Sequence, residues 1–275
     1  PWETLTVEEE YQLPLVNPAT SAKSRTFETA GKYDGTIRYP ESGKTYLLEH
    51  KTTSDDITDP AAPYWRRLTI DSQVSHYVLA NWQNGNKLDG TVYDVIRKPA
   101  IRPRKLTAAE QKALVTCGTY FGVDVGKQEA AVETPELYEQ RLFKECTEEP
   151  NRYFQRRVIP RLDSEILEYA REAWDVGQSI IHARGNDAHY RNSGACVQYN
   201  SPCEYLGLCS GEDSADSDKW ETTEQTHGEL SIAGPHLNVL TNTRIKCFQT
   251  CRRKHQYRYE IGLRQRDEEE REALF

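Results

Sequence analysis

The 275 residues are 37% hydrophobic and 28% charged at a mean hydropathy of -0.80, with 16 Tyr and 5 Trp to close a core. No apolar run approaches the roughly 20 residues of a membrane helix, so the sequence reads as neither a membrane protein nor a disordered tail. The balance of 35 basic against 43 acidic residues excludes a basic nucleic-acid coat protein. It does not exclude an enzyme that meets a polyanion through local basic patches.

Seven cysteines, an odd number, argue against a complete disulfide framework and for a reducing compartment. The lack of Met and the opening Pro1-Trp2-Glu3, without a signal-peptide layout, suggest a fragment or a processed chain.

Along the chain, Thr26 to Asp56 alternates polar and apolar residues around two turn signals, Tyr33-Asp34-Gly35 and Pro40-Glu41-Ser42-Gly43. Thr45 to Lys51 reads as a strand, with Thr29 to Tyr39 as its hairpin partner. Tyr64 to Trp82 has helical spacing through Leu68, Ile70, Val74, Tyr77 and Val78, and Gly90 to Arg97 reads as a third strand. Asp163 to Ala183 is the clearest helix, with Asp163 as N-cap and Gly185-Asn186 at its end. A cysteine cluster follows. Gly211 to Gly228, acidic and rich in Ser and Thr, reads as a linker, and a second structured segment begins at Leu230. No solenoid repeat is present, and the whole predicts a mixed α/β fold.

Three constellations carry chemistry. Asp34 closes one predicted strand, while Glu49 and Lys51, two apart, share one face of the next. Two carboxylates on adjacent strands suit Mg²⁺ or Mn²⁺, and a neighbouring lysine can orient a water and offset charge on a phosphate. By residue type alone a charged surface hairpin is the favoured reading. Gln73 and Tyr77 stand at i and i+4 on one helix face. Cys196, Cys203 and Cys209 place three thiols within fourteen residues. Zinc is one reading of them, although paired C-x2-C knuckles are absent. Cys117 and Cys146 have no motif around them and read as ordinary packed thiols.

Asp34 followed by Glu49-His50-Lys51 resembles the metal site of the PD-(D/E)XK nuclease superfamily, and Gln73-x3-Tyr77 resembles the motif of its RecB-like exonuclease branch. Cys251, in Cys251-Arg252-Arg253-Lys254-His255, lies in a segment similar to the one that opens RecB-like domains with iron–sulfur clusters. The resemblance implies a restriction-endonuclease-like core, a mixed sheet flanked by helices with a cysteine-cluster subdomain. It also implies a [4Fe–4S] cluster held by Cys196, Cys203, Cys209 and Cys251, with Cys247 as runner-up for the fourth place. Tyr153-Phe154-Gln155-Arg156-Arg157 also looks like a family element, Arg156 and Arg157 meeting phosphate beside aromatic stacking; the plainer reading is a basic helix start. Arg97, Lys98, Arg102, Arg104 and Lys105 form the densest basic stretch, a solvated loop or the edge of a DNA path.

The family's order is displaced here. Residues 1–211 match the nuclease core with its cysteines, 212–229 form the acidic linker, and 230–275 resemble the segment that normally comes first. The histidine of the family's next helix has no counterpart: His50, His236 and His255 stand in other contexts, and Glu8, Glu9 and Glu10 belong to no motif. A reordered chain, a tandem protein and a fragment all fit.

The implied activity is Mg²⁺- or Mn²⁺-dependent hydrolysis of DNA. It would be exonucleolytic and on single strands, with Asp34 and Glu49 on the metal, Lys51 assisting the water, and Gln73 and Tyr77 positioning substrate. Recombination, repair or phage DNA processing in the cytoplasm of a bacterial or phage-infected cell follows from it, with a helicase or recombination protein as partner. A cluster-stabilised DNA-binding module without cleavage and a zinc-bound structural protein are the alternatives.

Overall fold

The computed structural model describes residues 2–231 and 236–266. Residues 267–275, where the family's next helix is expected, lie outside them. In chain order the first elements are β1 (Glu3–Val16), β2 (Lys23–Tyr39), β3 (Lys44–Thr53), α1 (Pro63–Leu68), α2 (Ser72–Gln83) and β4 (Thr91–Arg97). There follow α3 (Ala108–Thr116), β5 (Thr119–Tyr120), β6 (Val123–Asp124), α4 (Pro135–Glu148), α5 (Pro150–Tyr153) and β7 (Phe154–Ile159). The remainder holds α6 (Asp163–Asn186), β8 (Val197–Gln198), β9 (Ser201–Pro202), α7 (Leu206–Ser210), β10 (Trp220–Thr222) and β11 (Val239–Leu240). Last come α8 (Asn242–Thr250), α9 (Arg252–His255), a π-helix (Gln256–Ile261) and β12 (Leu263–Gln265).

The fold is mixed α/β. A mixed central sheet runs in the order β1-β2-β3-β4-β7, β11 adds to β2 in parallel, and helices flank the sheet. No helix of the described residues is long and apolar enough to cross a membrane. The chain divides into two compact units. Residues 2–47, 71–90 and the described residues from 161 onward form the first, and 48–70 with 91–160 form the second.

In the first unit β1 and β2 make a long antiparallel hairpin, Glu3 opposite Arg38 and Val16 opposite Lys23. Pro14 is tolerated because β1 is an edge strand. Leu15 and Phe27 from this hairpin pack with Tyr169, Ala173 and Ile180 of α6 and with Leu240, Ile245 and Phe248. Full burial of a side chain such as Phe27 contributes about 1.5–3 kcal/mol. α2 starts at Asp71, whose carboxylate accepts from the Gln73 N–H at 3.0 Å.

In the second unit β4 and β7 pair antiparallel, Thr91 opposite Ile159 and Ile96 opposite Phe154. Leu106, Leu114, Tyr120 and Leu137 close a small separate core. α3 is opened by a capping box in which Thr107 and Glu110 satisfy each other's backbone N–H.

Several local expectations are corrected. Asp34 lies inside β2 rather than at its end, because Tyr33-Asp34-Gly35 is no turn. Gly35 is there for close approach: a Cβ would lie 2.6 Å from the Thr6 carbonyl oxygen. The helical run 64–82 is two helices, broken where Asp71 begins a new cap. The N-cap of α6 is Leu162, whose N–H is taken by Glu165 at 2.9 Å, not Asp163. Arg156 and Arg157 sit on the edge strand β7, not at a helix start. The stretch 212–229, read as a linker, carries β10, which pairs with β12, and the buried Trp220 and His227.

Candidate active site and cysteine cluster

A cavity of about 490 Å³ opens within the first unit. Asp34 and Lys32 reach it from β2, and Gln73, His76 and Tyr77 from α2. The i,i+4 pair is made: Gln73 Nε2 donates to Tyr77 Oη at 2.8 Å. Behind it His76 is fully enclosed, Nδ1 2.8 Å from Tyr169 Oη and Nε2 3.2 Å from the Ala30 carbonyl. Burial pushes its pKa down to about 4, so the imidazole is neutral at physiological pH. The rings of Tyr11 and Tyr77 pack against it, and Tyr33 packs against both of them. Lys32 is held by Glu8 at 2.6 Å; the hydrogen bond to Glu8 raises its pKa against desolvation, and the charges of Glu10 and Asp34 add to the rise. Glu10 accepts from the Ser231 N–H at 2.9 Å.

Glu49 and Lys51 lie on the part of β3 that belongs to the second unit. Period-two geometry puts them on one face, and Lys51 Nζ meets Glu49 Oε1 at 2.6 Å with the carboxylate buried. His50 points to the other face, its Nδ1 3.3 Å from Asp94, which also receives Arg156 at 3.0 Å. Arg157 stacks over the Trp65 ring at 4.2 Å. In the basic stretch Arg97 pairs with Asp56 and Arg104 with Glu110, which spends part of that charge locally.

The x6 spacing of Cys196 and Cys203 has a structural cause. The six intervening residues form the β8–β9 hairpin, closed by Tyr199 and Asn200 at φ of 52° and 61°. Its two cysteines face each other, the Cys203 N–H donating to the Cys196 carbonyl at 2.7 Å. Cys209 rides on α7, and Cys251 sits between α8 and α9. The Cys209 thiol is pushed up by burial and then by its neighbours Cys251, Cys203 and Cys196, while Arg253 opposes the rise. Cys209 is therefore within coulombic reach of the other three thiols. Cys247 is pushed up to about 11, by burial first, and Cys251 beside it adds to the rise. Arg191 donates to the Cys209 carbonyl at 2.7 Å, Asn192 to Thr250 at 2.8 Å and Arg253 to His189 at 2.7 Å, which clamps the strands of chain that carry the thiols. Tyr205, Trp220 and Leu263 form the core beneath.

Among the described residues no three His, Cys, Asp or Glu side chains gather around a single metal-ion position. All seven cysteines are free thiols. Four thiolates with a cationic side chain beside them are the donors that either a polynuclear cluster or a zinc ion takes. Asp34 carries hard oxygen donors, and so does Glu49, which already faces an ammonium.

Asp34, Gln73 and Tyr77 thus share one cavity, Glu49 and Lys51 form one ion pair, and Cys196, Cys203, Cys209 and Cys251 form one group. Sequence reasoning missed Thr226, His227, Arg258 and Tyr259, which line the same cavity as Asp34. The docking of 239–261 onto β2 and α2 brings these residues to the cavity, which no local pattern announces. That docking also puts Cys251 in the same unit as the other three thiols. No family model, no curated protein and no solved structure matches this chain.

Proposed function

We propose that this protein is a Mg²⁺- or Mn²⁺-dependent DNA nuclease of the RecB-like branch of the PD-(D/E)XK superfamily, with a restriction-endonuclease-like core and a [4Fe–4S] cluster. Asp34 and the Gln73–Tyr77 pair, singled out by separate motifs, line one cavity, and that convergence carries the reading.

Asp34 and Glu49 would hold the divalent ion. When bound, such an ion polarises a phosphoryl oxygen and lowers the pKa of a water. Lys51, oriented by Glu49 at 2.6 Å, supplies a positive charge beside the developing phosphorane and a donor to hold the attacking water. Gln73 and Tyr77, locked to each other and backed by the neutral His76, form a stiff edge against which a strand is positioned. Cys196, Cys203, Cys209 and Cys251 would hold the cluster as a staple between the hairpin β8–β9 and the start of α9. A single-strand exonuclease in recombination, repair or phage DNA processing is the activity this supports.

The test is digestion of end-labelled linear and circular single-stranded DNA with Mn²⁺ by wild type and Lys51→Ala. Loss of linear DNA alone, with at least a hundredfold slower cutting by the variant, is the expected result, on the order of one acid–base or electrostatic group. Cutting of circles would make it an endonuclease. Equal activity in Lys51→Ala would sink the site, and no cutting by folded brown wild type would leave a DNA-binding module.

A further inference from the structure

A second cavity, of about 420 Å³, lies within the first unit, lined by α6, by the chain from Tyr190 to Asn192 and by the end of α8. Val176 and Phe248 are its buried apolar lining. Of the four grouped thiols only Cys251 borders it, so it is not the space that a cluster held by all four would take. None of its lining residues borders the cavity of Asp34.

Its charge is of one sign. The lining holds Arg191 and Arg252 and no carboxylate. Farther along the same stretch Lys254 and Arg258 are both answered by Glu204. Neither Arg191 nor Arg252 comes within ion-pair distance of a carboxylate among the described residues.

The rings beside these charges are a separate observation. The Arg252 guanidinium lies over the Tyr190 ring at 4.6 Å and the Phe248 ring at 4.9 Å, and its side chain makes no hydrogen bond among the described residues. Two rings hold the charge in place while its N–H donors stay unused. Arg191 uses one donor, on the Cys209 carbonyl at 2.7 Å.

Tyr190 is 60% exposed, yet its backbone is fixed. Its carbonyl accepts from the Arg253 N–H at 3.2 Å, and the preceding His189 carbonyl accepts from the Arg253 side chain at 2.7 Å. Asn192 Nδ2 ties the following turn to the Thr250 carbonyl at 2.8 Å. A solvent-facing ring on a clamped backbone, with a cation against it, loses little freedom when a second ring stacks on it.

We propose that Tyr190, Arg191 and Arg252 form a contact for single-stranded nucleic acid, in which one base stacks on the Tyr190 ring and the adjoining phosphodiesters meet the two guanidiniums. A free anion or an acidic side chain would use the guanidiniums and leave the ring idle; a strand uses all three. The contact rests on the nucleic-acid reading above, but it needs neither metal nor cleavage.

Fluorescence anisotropy in EDTA tests it, comparing oligothymidylate with an abasic strand of the same length. Wild type should bind the thymidylate about tenfold tighter, the worth of one stacked base. Tyr190→Leu should cut that preference to about twofold or less and leave the affinity for the abasic strand unchanged, while Tyr190→Phe keeps the preference, in proteins with wild-type circular dichroism. Arg252→Gln should weaken binding of both strands and lower the slope of log affinity against log salt by about 0.7, one phosphate contact on a single strand. A slope unchanged in that variant overturns the phosphate contact. Equal affinity of wild type for the two strands overturns the stacking contact even where wild type cuts DNA with Mn²⁺, and so does a preference untouched by Tyr190→Leu. A preference kept in Tyr190→Phe and lost in Tyr190→Leu upholds it, and if wild type then cuts nothing, the nuclease reading fails alone.

Discussion

Each unit buries a carboxylate among arginines, and the two do so to different ends. In the second unit Glu133 is fully enclosed and satisfied: Arg141 reaches it at 2.5 and 2.8 Å, Tyr120 Oη at 2.6 Å and the Arg104 N–H at 3.0 Å. Burial would raise its pKa, but Arg141 and Tyr120 outweigh that and hold it at about 2. In the first unit Glu260 serves two guanidiniums, one of them on the completely buried Arg244, which also donates to His255 and to the carbonyls of Leu237 and Val239. His255 and His227 are pushed down to about 2 and 3, by burial first and then by Arg244. The network of Glu133 is balanced around one carboxylate; in that of Glu260 a single carboxylate answers two guanidiniums.

Removing the acids should separate the two. Glu260→Ala strands Arg244 inside the protein and should cost about 3–5 kcal/mol, seen as a large fall in urea midpoint. Glu133→Ala should cost less, about 1–3 kcal/mol, because Arg141 is partly exposed and can turn to water. Equal losses would erase the distinction.

The thiols sharpen it next. Cys251→Ser should abolish brown colour and stoichiometric iron, while Cys247→Ser should keep both; the reverse pattern would move the fourth ligand by one helical turn. Acid should then reach the first unit earlier. Its buried His227 and His255 have folded pKa values below the unfolded 6.5, so the unfolded chain takes up protons first and stability declines as pH falls from about 6.5 toward 3. Glu133 and Glu110, both held at about 2, contribute stability that is intact above 4.5 and lost only as pH falls from there toward 2. Hydrogen exchange between pH 7 and pH 4 should show amides of α8 loosening before those of α3 and α4. Cys117→Ala, at an exposed thiol, should change stability by no more than about 0.5 kcal/mol in thermal denaturation.

The residues that were legible share one trait, that local spacing suffices to place them. Glu49 and Lys51 follow from the period of a strand, Gln73 and Tyr77 from that of a helix, and Cys196 and Cys203 from the length of a minimal hairpin. Asp34 was found by its neighbours though its strand was cut short, since Gly35 signals a turn unless the backbone of Thr6 is seen against it. Thr226 and His227 were illegible because they sit in a polar stretch. Only the approach of β11 and the π-helix buries them. The π-helix itself has no sequence mark beyond Gly262, at φ +77°, which ends it.

The pairing of Val239 and Leu240 with Glu28 and Thr29 also sets a clock. The partners are about 200 residues apart, and at roughly 5–20 residues per second a ribosome needs on the order of ten seconds or more to deliver the later strand. The second unit, built from 48–70 and 91–160, emerges whole in that interval, together with its own core of Leu106, Leu114, Tyr120 and Leu137. The cavity does not exist until Thr241, Arg258 and Tyr259 have been synthesised. A nascent chain can thus fold the second unit early while the walls around Asp34 are the last to close.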